Sequence, residues 1–189
     1  SGRRMKQMRN ILIGLALLFM SLDLIRAASH PLIESAQRQA AILYLTDETA
    51  AAFLMAAVFA WLVHSSVAAV LLFVTMAGQG IMPLDATFAM VLGANLGGSF
   101  IAMVLTLKSD VMVRRAVTAN LILRGGGAAG FLYLLSTFPN IGSLLGSEPA
   151  QQSLNLHLAF NGLLLLLCLP LTGPVFSMVS FIVRDRAAE

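Results

Sequence analysis

The chain has 189 residues, 58% of them hydrophobic and only 11% charged, with a mean hydropathy of +0.86. Soluble domains carry about 25% charged and about 45–50% apolar residues, so this balance argues against a soluble enzyme and against disorder, and leaves an integral membrane protein. A net charge of +3 would suit nucleic acid, but its placement argues against that partner. The basic residues form short clusters (Arg3, Arg4, Lys6 and Arg9; Lys108, Arg114 and Arg115; Arg184 and Arg186), each beside an apolar run. That is the pattern of cytoplasmic loops, and the partner it predicts is the lipid bilayer. Cys168 is the single cysteine, so no intrachain disulfide can form. The Ser-Gly start, without methionine, predicts a piece of a longer protein.

A spanning helix needs about 20 apolar residues at about 1.5 Å of rise each. The first such run is 10–28. Segment 29–50 contains Pro31, Glu34, Arg38, Asp47 and Glu48, and is predicted to be an amphipathic interfacial helix. Segment 51–78 has no charged residue and carries the polar His64-Ser65-Ser66 at its middle. As one crossing it would put loop 108–115 on the side opposite the N-terminal arginines. As a re-entrant hairpin it leaves all the basic clusters on the cytoplasmic side. Each arm offers about 20 Å of helix, too short for a core of about 30 Å. The hairpin is the better reading.

Spans follow at 86–107 and 116–136, then an external loop at 137–152 without basic residues. The run 153–183 exceeds one span and contains Pro170, Gly173 and Pro174, which predict a kink or break. The expected fold class is all-α integral membrane: about four transmembrane helices plus one re-entrant helical hairpin, both termini cytoplasmic.

Three polar sites interrupt the apolar runs. The first is the hairpin turn. The second is Gly93-Ala94-Asn95-Leu96-Gly97-Gly98-Ser99, whose glycines and asparagine weaken a helix by several kcal/mol, so that a break is predicted inside span 86–107. Unwound backbone offers carbonyls to a cation, and a following half-helix offers its N-terminus to an anion. Small residues in membrane helices also serve close packing, and that reading stays open. The third site is Arg124, an expensive membrane arginine. Its alternatives are a structural ion pair, with Asp23 as candidate partner, and attraction of an anion. His157 and Asn161 share one helix face, where hydrogen bonding between helices is the expected role.

The stretch HSSVAAVLLFVTMAGQGIMPLDATFAMVLGANLGGSFIAMVLTL resembles the repeat of type II sodium/phosphate cotransporters and their bacterial relatives. That repeat carries a QSSSA-type turn and a GAN(I/L)GTT break; here the counterparts are His64 to Ala68 and Gly93 to Ser99. LHLAFNGLLLLLCLPLTGP at 156–174 is similar to the family's later AHxLFN helix, and the opening RRMKQMRNILIGLALLFMSLDLIRAA to the start of a second repeat. The departures are His64 for Gln, Val67 for Ser, Gly98 and Ser99 for two Thr, and Ala119 to Arg124 where a second AHxLFN-like helix often stands. The resemblance implies one half of an inverted-repeat secondary transporter in a bacterial inner membrane. It also implies Na+ as the coupling ion, phosphate or a similar small anion as substrate, and a partner half, either a second repeat in the parent chain or a homo-oligomeric copy.

On this reading Ser65, Ser66 and Asn95, with carbonyls near Gly93 and Gly97, hold one Na+, and Ser99 completes the pocket. The anion sits on half-helix N-termini after Ser66 and after Gly98. His64 adds a charge on acidification, while Arg124, bonded within the bundle as Asn161 is, stays structural. The alternatives are a diverged carrier for another small anion and a non-transporting membrane module. A nucleophile–base pair or carboxylate dyad is not found, so an enzyme is not expected.

Overall fold

The computed structural model describes residues 2–29 and 36–184, and every regular element there is helical. In chain order they are α1 (Gly2–Ser29), α2 (Ala36–Asp47), α3 (Thr49–Val63), α4 (Ser66–Gly78), α5 (Leu84–Leu105), α6 (Val111–Thr137), a 3-10 helix (Pro139–Leu145) and α7 (Pro149–Ile182). Pro31 and Glu34 of the expected interfacial segment lie outside the described residues. Three helices, α1, α5 and α7, are long and apolar enough to cross a membrane. A fourth span results if α6 is counted with the 3-10 helix, which turns from it by 104° and occupies much of the expected loop 137–152. With its long apolar helices, the chain is an integral membrane protein.

Helix α5 is the centre of the bundle. It is buried from Ala86 to Asn95, whereas α1 is exposed along nearly its whole length and, among the described helices, packs against α4. Helices α3 and α5 run parallel, because Phe53 meets Gly93 and Ala57 meets Gly97. Leu96 against Gly125 and Met103 against Thr118 set α6 antiparallel to α5. Phe131 against Phe160 and Arg115 against the Val183 carbonyl set α7 antiparallel to α6.

Two expectations are corrected. The predicted break at Gly93–Ser99 is absent, and α5 is one helix from Leu84 to Leu105. A Cβ at Gly93 would collide with the carbonyl of Phe53, and one at Gly97 with the carbonyl of Ala57. The glycines therefore let two helix backbones touch, and the dispersion gained there offsets their poor helix propensity. Of the kink or break expected at the prolines, the break is the half corrected: α7 stays helical through Pro170 and Pro174. Each proline removes only one N–H donor, a loss that membrane helices tolerate.

Candidate functional site

Helix α3 ends in a tight cap. The Ser65 amide donates to Ala60 O at 3.2 Å and the His64 amide to Trp61 O at 3.2 Å, the paired bonds of a Schellman motif. His64 occupies its left-handed position, φ 56° and ψ 27°, a conformation that glycine adopts far more cheaply. Its ring is exposed, with Nδ1 3.0 Å from Leu62 O.

The chain then enters α4 with Ser65 as N-cap, its Oγ accepting from the Ala68 amide at 3.1 Å. The amides of Ser66 and Val67 have no partner among the described residues. They leave at the hairpin tip the open donors and positive dipole end that suit an anion. Ser66 is half-buried against α5, where a Cβ on Gly98 would stand 2.9 Å from Ser66 Oγ. Gly98 follows Asn95 by three positions, so the two share a face of α5.

Asn95 is 1% exposed and turns toward α7. Its Nδ2 donates to Val91 O at 2.8 Å and reaches His157 Nδ1 at 3.2 Å. Asn161 Nδ2 donates to Asn95 Oδ1 at 3.2 Å and to His157 O at 2.8 Å. Arg124 Nη2 donates to Asn161 Oδ1. Ser99 is also buried, but its hydroxyl turns back to Asn95 O at 3.3 Å.

The expected sites thus separate into two groups. The hairpin tip joins His64, Ser65 and Ser66 to Gly98, while Gly93 and Gly97 are used for packing against α3. The other group joins Asn95 to Asn161, Arg124 and His157. The suggested pairing of Arg124 with Asp23 is corrected: Asp23 pairs with Arg26 on α1 at 3.4 Å, and Arg124 bonds an amide instead. That bond uses Nη2 alone, and the buried Nε has no hydrogen-bond partner among the described residues. His157 was expected only to bridge helices. Its place beside Asn95 was signalled by its spacing of four from Asn161, but its partner came from another helix.

No group of three or more His, Cys, Asp or Glu that could hold a metal ion occurs among the described residues. A hard monovalent cation would instead take hydroxyl, amide and backbone oxygens.

Residues 32–145 match the family described as Na+/Pi-cotransporter. The chain is 29% identical over 183 residues to the "Putative inorganic phosphate export protein YjbB" of Escherichia coli K12, covering 97% of this chain and 34% of that protein. The Salmonella typhimurium protein of the same name is 28% identical over the same shares. The "Uncharacterized protein YqeW" of Bacillus subtilis is 23% identical over 182 residues, covering 96% of this chain and 59% of that one. The chain therefore spans about a third of the length of the first two relatives, 34% in each. No solved structure matches it significantly. With more than half of its residues inside the family match, and the turn and the Gly93–Ser99 motif both within it, the chain belongs to the Na+/Pi-cotransporter family.

Proposed function

We propose that the chain is one repeat of a secondary transporter that moves phosphate across the inner membrane of a bacterium, coupled to Na+. The observation that carries the reading is the apposition of Ser66 to Gly98. It sets an open helix N-terminus, at the tip of two arms too short to span, against the central helix. In this reading the hairpin is re-entrant, the termini are cytoplasmic, and a second repeat or a second copy closes the site.

Na+ is held by the oxygens of Ser65 and Ser66 at the tip, and Asn95 joins them only by turning from Asn161 and His157. Phosphate sits on the Ser66 and Val67 amides of α4. The second N-terminus expected after Gly98 is withdrawn, because α5 is continuous there. Opposite charges attract strongly where water is scarce, so each ligand raises the affinity for the other by the same factor. The relatives' printed names point to export as the direction of phosphate movement.

The test is labelled-phosphate flux in liposomes containing the full-length protein, with and without a sodium gradient. Flux that follows the gradient supports the reading, and flux indifferent to sodium overturns the coupling. The exposed His64, which stands where the family has Gln, favours a second reading: a carrier for another small anion. A competition panel of oxyanions and carboxylates separates the two.

A further inference from the structure

Beside the α3–α5 seam lies a groove of about 320 Å³ with a wholly apolar lining. Leu54, Val58 and Trp61 of α3 form one wall, and Leu96, Phe100 and Val104 of α5 the other. Leu54 is 59% exposed and Val104 47%, so the described chain leaves these walls open.

The length of the groove fits one leaflet of a bilayer. Leu96 lies near the middle of the 22-residue α5, and Val104 is one residue from its end. At about 1.5 Å of rise per residue that wall is about 12 Å long. Half of a hydrocarbon core of about 30 Å is about 15 Å. The groove thus follows one leaflet from the midplane toward the headgroups.

Its outer end is basic. Lys108 comes four residues after Val104, just beyond the end of α5, and is exposed. Arg114 is half-buried in the first turn of α6. Neither side chain has a hydrogen-bond or ion-pair partner among the described residues. Asp110 is the single acid between α5 and α6, against three basic residues from Lys108 to Arg115.

A packed helix is the poorer occupant. Helices associate in membranes through small residues, and here Gly93 and Gly97 are already used against α3. The open walls carry Leu, Val, Phe and Trp, which suit a flexible hydrocarbon chain. Cations at the mouth of such a groove attract a negative headgroup.

We propose that the groove is a binding site for an anionic phospholipid, with an acyl chain along Trp61, Phe100 and Val104 and the headgroup phosphate on Lys108 and Arg114. The site is separate from the hairpin tip and does not depend on the identity of the transported ion.

Trp61 is the only tryptophan of the chain and lines the groove, so it reports the occupant. The full-length protein is placed in phosphatidylcholine vesicles containing a minor share of phosphatidylglycerol. Either the minor lipid or an equal share of the phosphatidylcholine carries brominated acyl chains, which quench nearby indole fluorescence. Subtracting the signal of Trp61→Phe isolates Trp61. We expect brominated phosphatidylglycerol to quench it about fivefold more effectively, the effect of one basic side chain at an anionic headgroup. In the double variant Lys108→Gln, Arg114→Gln that ratio should fall toward one. Equal quenching by both lipids in the parent would mean ordinary bilayer contact, and absence of quenching by either would mean that protein covers the groove; each result overturns the proposal. Native mass spectrometry gives a second reading: the parent should retain phosphatidylglycerol that the double variant loses, and equal retention by the two proteins also overturns it.

Discussion

The rings of Phe59 and Phe73 lie 5.8 Å apart between centroids, one on α3 and one on α4. In a continuous helix the rise between these positions would be about 21 Å. The contact therefore records a reversal of the chain at His64-Ser65, and α4 returns alongside the end it came from. It places the open N-terminus of α4 at one end of a two-helix arm instead of midway along a span.

That reversal leads to a topology test. In a Cys168→Ala background of the full-length protein, cysteine at Ser109, an exposed position between α5 and α6, should react with an impermeant reagent only after the membrane is opened. Cysteine at Leu144, 83% exposed in the 3-10 helix, should react on intact cells. Labelling of residue 109 from outside would rule out a re-entrant hairpin.

The α3–α5 seam predicts opposite effects for glycines of one composition class. Gly93→Ala and Gly97→Ala drive a methyl into backbone carbonyls and should destabilise by about 1–3 kcal/mol or more, outweighing the better helix propensity of alanine. Gly126→Ala meets open space and should be neutral or stabilising by up to about 1 kcal/mol. Thermal unfolding in detergent checks both. Equal melting temperatures for all three variants would refute the packing account.

Ser65 and Ser66 adjoin in sequence but should fail differently. Ser65→Ala removes the N-cap bond to Ala68 and should cost about 1 kcal/mol of stability besides any effect on transport. Ser66 has no such bond, so Ser66→Ala should leave the melting temperature nearly unchanged and lower the apparent sodium affinity. If that affinity is unaltered, Ser66 is not a ligand.

His64 carries two separable consequences. His64→Gly relieves the left-handed backbone and should stabilise the turn by about 1 kcal/mol, read from thermal unfolding. His64→Gln should flatten the pH dependence of phosphate flux. Of the two side chains only histidine is ionisable, so a pH-dependent affinity for an anion at the tip requires it. Sodium dependence should persist in both. A pH profile identical to that of the parent would remove His64 from the anion site.

Composition alone determined that this is a membrane protein: too few charges and too many aliphatic side chains are present for a water-facing surface. Run lengths and charge placement separated the elements, and the uncharged 51–78 segment with its His-Ser-Ser centre located a turn between two short arms. Arg124 and Asn161 could be singled out because polar groups are costly in an apolar run. Only the tertiary structure decided what those groups do. Local propensity favoured unwinding at Gly93–Ser99, yet the carbonyls of Phe53 and Ala57, brought in by α3 from far along the chain, keep that stretch helical. Arg124 turned from Asp23 to Asn161, and Asn95 found His157, because α6 and α7 cross α5 at that level. Propensity and hydropathy are sums over neighbours in sequence. The choice between breaking a helix and packing it, and the partner each polar group finds, depend on which helices the bundle brings into contact.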